Sequence, residues 1–330
     1  MTMAATQPSP DPLLEVTGLE THFPIRSGFL GRTSGVVHAV DGVSFSMRRG
    51  ETLGLVGESG SGKSTLGKSI LRLVTPTAGS IRIDGHDITH LGKAEMKPFR
   101  RNVQMVFQDP YSSLNPRIPV GKIVSEALKV HGIASGKEAR DRVAGIFRKV
   151  GLRASDMHKY ANEFSGGQRQ RVGIARALVL NPGLIIADEA VSALDVSVQA
   201  QVINLFADLQ AELGLSYLFI AHDLSIVAQV CDRIAVMYLG QIVEIATRHE
   251  LFRAPKHPYT KSLMDSIPVP HPSLRKTDRL LLSKDVPSAV NPPSGCRFHT
   301  RCPMATPECS RSRPPMKAYG EGHSAACFNV

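Results

Sequence analysis

Eight consecutive residues constrain this chain more than any other feature. Gly57-Glu58-Ser59-Gly60-Ser61-Gly62-Lys63-Ser64 follows a short apolar run, Leu53–Val56, and opens a helix-like stretch, Lys63–Leu73. This is the complete phosphate-loop pattern in the strand, loop and helix setting that it requires. The glycines let the backbone curl until successive N–H groups point inward, and the following helix adds its positive N-terminal end. Lys63 is expected to pair with the β- and γ-phosphates of a nucleotide and Ser64 to ligate Mg²⁺, with Thr65 beside them. A Gly/Ser-rich loop without function is the alternative, and the completeness and placement of the pattern argue against it. The same strand and helix begin an α/β core.

A second segment supplies what hydrolysis would need. Leu184-Ile185-Ile186-Ala187-Asp188-Glu189 is an apolar strand ending in two carboxylates. Asp188 is placed to reach the Mg²⁺ and Glu189 to act as general base on the attacking water. Paired acids after a strand often only cap a helix; the phosphate loop upstream favours the catalytic reading.

The rest of the chain fits this core. Strand-like pieces at Leu14–Val16, Val36–Val40 and Val43–Met47, split by a Gly- and Ser-containing insertion at Arg26–Gly35, predict a small antiparallel β subdomain. Apolar residues at helical spacing between Val120 and Arg153 predict a helical insert, placed at about 108–182. Buried strands at Leu184–Ala187, Tyr217–Ile220 and Ile234–Met237 alternate with helical runs such as Val198–Leu213, which implies a parallel sheet. Beyond Asp265 the pattern dissolves into sequence holding ten of the 22 prolines, so 265–330 reads as an extension without a core of its own. The main domain is then 13–264, and 1–12, rich in Pro, Ser and Thr, reads as a loose cytoplasmic tail without secretory-signal anatomy.

Composition narrows the class further. With 330 residues and 42% hydrophobic content the chain can bury a sizeable core, yet no apolar run approaches the roughly 20 residues that a spanning helix needs. The net charge of +10 raises nucleic-acid binding, but the basic residues are dispersed, and an anionic nucleotide or membrane surface accounts for the same charge. No nucleic-acid partner is expected.

From here the residues resemble one family over nearly the whole chain, the ATP-binding cassette (ABC) ATPases, a branch of the phosphate-loop NTPases. Phe164-Ser165-Gly166-Gly167-Gln168-Arg169-Gln170-Arg171 is similar to the family signature, which usually opens with Leu. The resemblance implies that Ser165, Gly166, Gly167 and Gln168 face the ATP of a partner cassette, so that two cassettes sandwich two nucleotides. Gln108 matches the loop glutamine that senses Mg²⁺ and water and touches the membrane subunit. Ser192-Ala193-Leu194-Asp195 matches the loop that bridges the dimer, and His222 the switch histidine on the γ-phosphate, although a lone histidine is more often structural. Phe23 stands where the adenine-stacking aromatic is expected; Phe29 competes, and core packing is the alternative for either. Ala190 and Val191 stand where many relatives have Pro and Thr, with only a minor effect on loop geometry expected.

Within the family, the runs Gln108–Arg117 and His257–Thr260 and the tail from Leu281 resemble the dipeptide, oligopeptide and nickel importers, most of all the second ATPase subunit of dipeptide importers. That implies a peptide translocase bound peripherally at the cytoplasmic face of the inner membrane. Its partners would be a second ATPase in a heterodimer, two transmembrane permeases and a periplasmic or extracellular peptide-binding protein. Import of nickel or another solute, and a DNA- or ribosome-associated ATPase, are the rival readings.

Cys296, Cys302, Cys309 and Cys327 crowd into the tail, while Cys231 stands alone and reads as a small buried apolar residue. Four thiols in a stretch with few apolar residues suggest metal ligation by zinc or an iron–sulfur cluster, with free thiols or disulfides the remaining possibility. The spacing lacks the paired two-residue gaps common in zinc sites, and the similar tails of related importer ATPases imply a 4Fe-4S cluster.

Overall fold

The computed structural model of the chain describes residues 12–27, 32–109, 113–267 and 285–330. Phe29, the middle of the Gln108–Arg117 run, the stretch 268–284 and all of the expected N-terminal tail but Pro12 lie outside the described residues. In chain order the first elements are β1 (Leu14–Ser27), β2 (Arg32–Met47), β3 (Thr52–Val56), α1 (Lys63–Ile70), β4 (Ala78–Ile83), β5 (His86–Asp87), α2 (Met96–Asn102) and β6 (Val103–Val106). Then come α3 (Val120–Val130), α4 (Gly136–Lys149), α5 (Gly166–Leu178), β7 (Leu184–Asp188), α6 (Val196–Leu213) and β8 (Ser216–Ala221). The last are α7 (Leu224–Val230), β9 (Arg233–Tyr238), β10 (Gln241–Thr247), α8 (Arg248–Arg253), α9 (Pro258–Asp265), α10 (Pro307–Arg311), β11 (Lys317–Gly320) and β12 (His323–Ala325).

These elements form two compact units. One is built on Met47–Glu51 and Ile83–Ile220, the other on Leu14–Ser46, Thr52–Arg82 and Ala221–Val330. In the first unit β6, β7 and β8 pair in parallel, with Val103 opposite Leu184 and Asp188 opposite Ile220. Every residue of β7 and β8 is buried, which is why both read as unbroken apolar runs rather than alternating ones. Within the Val120–Arg153 stretch, α3 buries Val120, Ile123, Val124 and Leu128, and α4 buries Ala139, Val143 and Phe147. On α6, Phe206 meets Tyr217 and Phe219 of β8 edge-to-face, at centroid distances of 5.3 and 5.7 Å. The helix stops where Gly214 takes a left-handed conformation.

In the second unit β2, β1 and β4 form the antiparallel subdomain. Both long strands extend into the expected insertion, β1 to Ser27 and β2 from Arg32. The other sheet of this unit runs β11-β12-β10-β9-β3. It is mixed: β3 and β9 are parallel, as the alternation predicts, but β9–β10 and β10–β12 are antiparallel. Helix α1 ends at Ile70, short of the predicted Leu73, because Arg72 turns to positive φ.

The Pro-rich tail contributes more packing than its hydropathy suggests. Phe298 is fully buried, with Tyr238, Tyr259 and His257 at centroid distances of 5.3, 5.4 and 5.7 Å. Strand β12 adds the tail to β10, with Ala325 opposite Glu244. Among the described residues no helix is long and apolar enough to cross a membrane.

Candidate functional site

The phosphate loop lies in the second unit, between β3 and α1. Its fold depends on two glycines by close approach rather than by flexibility. A Cβ on Gly57 would lie 2.1 Å from the Met237 carbonyl oxygen, and one on Gly62 1.9 Å from the Ala39 carbonyl oxygen. Gly62 also has φ of 102°, which L residues with a side chain rarely adopt. The loop is pinned by backbone as well, since Gly240 N–H donates to the Ser61 carbonyl at 2.8 Å. Lys63 is buried, and its Nζ donates to the carbonyl oxygens of Gly57 (2.8 Å) and Glu58 (2.9 Å). The ammonium is thereby held inside the loop, where a nucleotide's phosphates would be received.

The carboxylates lie in the first unit. Asp188 ends β7 and is 4% exposed; Glu189 follows at φ of 47°, an uncommon conformation for a residue with a side chain. Glu189 N–H donates to the Ile220 carbonyl at 2.9 Å, so the turn is tied to the end of β8. Its side chain is held by Gln108, whose Nε2 donates to Glu189 Oε2 at 2.7 Å. These two residues, 81 apart in sequence, are brought together as a base and its orienting amide would be. Ala190 and Val191 are both buried, and Ser192 Oγ donates back to the Glu189 carbonyl at 2.9 Å.

The signature segment is also in the first unit, at the start of α5. Ser165 is its N-cap: Ser165 Oγ accepts from Gln168 N–H, and Gln168 Oε1 accepts from Ser165 N–H at 3.0 Å. Ser165 and Gln168 are exposed, while a Cβ on Gly167 would lie 2.4 Å from Val198 Cγ1 of α6. Gly167 thus lets α5 lie close against α6, and the helix start is exposed at Ser165 and Gln168 and capped. Phe164 is buried in the place of the usual Leu. In the second unit, exposed His222 stands just before α7, whose N-cap Asp223 accepts from Ser225 N–H at 2.7 Å.

This arrangement agrees with what the chain is similar to. The ABC transporter family model matches residues 40–192, and that of the oligopeptide/dipeptide transporter C-terminal region matches 243–309. The oligopeptide transport ATP-binding protein AppF of Bacillus subtilis is 51% identical over 324 residues, 98% of each chain. The chain belongs to the ABC transporter family, in its oligopeptide/dipeptide branch. A putative oligopeptide transport ATP-binding protein of the same bacterium, YkfD, is 54% identical over 318 residues, 96% of this chain and 95% of its own. Among solved structures, the dimeric cassette MJ0796 in a post-hydrolysis state bound to ADP and Pi is 27% identical with a TM-score of 0.63, covering 71% of this chain and 98% of that one. As an ABC ATPase, the chain binds ATP with Mg²⁺ and couples its hydrolysis to transport.

Further features of the second unit bear on this ABC ATPase. Phe23 is 38% exposed, so its ring lies outside the buried core. Its neighbour His22 belongs to a polar cluster in which Nε2 lies 3.2 Å from His38 Nδ1 and 3.4 Å from Asp41 Oδ1. That spacing could bridge a metal ion, but Arg297 is 2.7 Å and Arg313 3.9 Å from Asp41 Oδ2. The carboxylate is already neutralised. Burial would raise its pKa, but the Gln241 hydrogen bond and the two guanidinium groups outweigh this and hold it below the usual value.

None of the five cysteines is joined in a disulfide. Cys231 is 1% exposed and burial pushes its thiol up, as a small apolar residue should behave. The four tail thiols share an electrostatic neighbourhood, and burial pushes Cys296 up to about 11. Cys309 Sγ has donors at hand: Thr306 N–H at 3.5 Å, Asn329 Nδ2 at 3.7 Å and the Thr306 hydroxyl at 3.3 Å. Among the described residues no three tail sulfurs lie within 4.8 Å of one another, whereas zinc with Zn–S bonds of about 2.3 Å would draw tetrahedral sulfurs to about 3.8 Å.

Two residues important to the loop escaped the sequence reading. Tyr259 Oη accepts from Glu58 N–H at 2.8 Å, and Arg301 meets the Glu58 carboxylate at 2.9 Å. The His257–Thr260 run singled out Tyr259's segment as a branch marker without showing what it touches.

Proposed function

We propose that this chain powers uptake of dipeptides or oligopeptides across the inner membrane, from its cytoplasmic face, as one ATPase of a heterodimer beneath two permeases fed by a peptide-binding protein. The nearly full-length similarity to AppF and YkfD, both named as oligopeptide transport proteins, supports the substrate class. In this reading 13–264 is the cassette, with its helical subdomain at about 108–182, and 265–330 is an extension. Residues 57–65 bind the nucleotide phosphates, Lys63 pairing with the β- and γ-phosphates. Phe23 stacks on adenine. Ser64 and Asp188 hold Mg²⁺, which neutralises charge on the phosphates, and Gln108 senses it. Glu189 takes a proton from the attacking water, His222 contacts the γ-phosphate, and Ser165–Gln168 serve the partner cassette's ATP.

The observation that carries the hydrolytic part is the Gln108–Glu189 hydrogen bond of 2.7 Å, which orients the carboxylate for general-base work. The test is uptake of labelled dipeptides by cells whose chromosomal copy encodes Glu189→Gln, at equal protein level. Lost uptake is expected. Unchanged uptake with wild-type ATPase activity of the purified complex overturns the role of Glu189, and unchanged uptake with ATPase activity lost overturns the peptide assignment.

For the tail, a 4Fe-4S cluster held by Cys296, Cys302, Cys309 and Cys327 is favoured over zinc, because the spacing lacks the paired two-residue gaps common in zinc sites and the similar tails of related importer ATPases imply such a cluster. Its chemistry here is to supply the stability that the Pro-rich chain lacks. Iron and acid-labile sulfide in the anaerobically purified protein are expected, and stoichiometric zinc without iron would reverse the order.

A further inference from the structure

A carboxylate inside a phosphate loop is an electrostatic problem. Glu58 is the second residue of the Gly57–Ser64 loop, and its negative charge sits beside the place where a triphosphate would bind. The structure answers it from the far end of the chain, 243 residues away. Arg301 Nη1 lies 2.9 Å from Glu58 Oε2 and 3.2 Å from Oε1. The same nitrogen is 3.3 Å from Tyr238 Oη, and the guanidinium lies over the Tyr238 ring, 5.8 Å from its centroid. The Arg301 side chain is only 6% exposed, so the pair is far less screened than a surface ion pair. Burial lowers its tendency to hold a proton, but the Glu58 and Tyr238 hydrogen bonds outweigh this and raise its pKa.

Arg301 does not reach this position as a loose surface side chain. It sits in the compact turn between Cys296 and Cys302: Arg301 N–H donates to the Phe298 carbonyl at 3.0 Å, and Phe298 is fully buried against Tyr238 and Tyr259. The same turn holds the other edge of the loop's support. Arg297 Nη1 donates to the Leu239 carbonyl at 2.6 Å, and the next residue, Gly240, donates its N–H to Ser61 of the loop. Tyr259, 4.7 Å from Tyr238 between ring centroids, accepts from Glu58 N–H. Thus Glu58 is gripped by its amide from α9 and by its carboxylate from the thiol-bearing turn.

We propose that Arg301 is a positioning residue for ATP binding: the C-terminal extension neutralises Glu58 and braces the phosphate loop, so that nucleotide affinity depends on the fold of the Cys296–Cys302 turn. This inference rests on the reading of Gly57–Ser64 as the nucleotide loop. The coupling is reciprocal, because any influence of the turn on ATP affinity is matched by an equal influence of ATP on the turn.

The test uses the full-length protein, a fluorescent ATP analogue with Mg²⁺ for the dissociation constant, and steady-state ATPase rates of the assembled complex. Arg301→Met is expected to raise the dissociation constant and KM about tenfold, in the usual range for coupled sites, while kcat at saturating ATP holds. Arg301→Lys should recover most of the loss. The decisive variant pairs Arg301→Met with Glu58→Gln: removing the uncompensated carboxylate should return affinity toward wild type, which a general defect in folding would not allow. Wild-type affinity in Arg301→Met, or a double variant that melts normally yet binds no better than Arg301→Met, overturns the proposal. Lys63→Ala separates the premise from the inference. If Lys63→Ala binds the analogue normally, the reading of the loop falls and the proposal with it; if Lys63→Ala loses binding while Arg301→Met keeps it, the brace alone falls.

Discussion

The phosphate loop and the Gln108–Glu189 pair are held in opposite ways. The loop is fixed by backbone packed against backbone, with no room for a Cβ at Gly57 or Gly62, and by buried partners from the C-terminal half of the chain. The pair is exposed at Gln108 and joined by one side-chain hydrogen bond, on a glutamate at positive φ. Parts that bind phosphate gain from being built in advance, since ordering them on binding would cost affinity. Parts that must orient a water and then release products gain from contacts that a single rotamer change can make or break. On the roles proposed above, the difference separates the step that captures ATP from the step that consumes it.

The sharpest way to break this contrast is Gly62→Ala. The added methyl would lie 1.9 Å from the Ala39 carbonyl, so the loop or β2 has to move. ATP binding is expected to weaken by about 100-fold or more, measured on the full-length protein with a fluorescent nucleotide. Near-normal affinity would mean that the loop is far more plastic than its packing implies.

A smaller effect, of the opposite kind, is expected at the other region. Gln108→Ala removes the amide that orients Glu189 but no phosphate contact, so kcat should fall about tenfold with KM for ATP unchanged. A rise in KM with kcat intact would place Gln108 on the binding side and blur the distinction.

The same division sets what could be read from sequence. Residues 57–64, 165–168 and 188–189 are local motifs, in which consecutive side chains and glycines serve one turn, and the structure places each at the loop, cap or strand end that its motif demands. The burial of β7 and β8 was equally legible, because four or more apolar residues in a row leave few other options. What could not be read was pairing at long range. Nothing local to Arg301 distinguishes it from other arginines of a basic chain, and its partner is 243 residues away. Phe298 lies in a Pro-rich run with little hydrophobic periodicity, so its place among Tyr238, Tyr259 and His257 left no trace in the pattern. The antiparallel addition of β10 and β12 was hidden for a similar reason: β12 is three residues long and lacks the length that marks a strand.

The most delicate probe of the loop's support is pH. His257 caps α9, its Nδ1 accepting from Tyr259 N–H at 3.1 Å, and its backbone N–H donates to buried Glu244 at 2.8 Å. Burial, with Lys261 nearby, pushes its pKa from the ordinary 6.5 down to about 3. Between those values the unfolded chain takes up a proton that the folded chain refuses. The contribution is therefore complete above about pH 6.5 and is lost progressively as pH falls toward 3. His257→Asn keeps an acceptor at the cap but removes the titration. At neutral pH its denaturation midpoint should stay close to wild type, while its stability should decline less steeply with acid through that window. Because the folded chain keeps His257 neutral across this window, the Tyr259 contact to Glu58 is kept and the ATP affinity of the folded protein should be the same in wild type and variant. Parallel stability profiles for the two proteins would show that proton uptake at His257 on unfolding does not contribute to the acid limit of the fold.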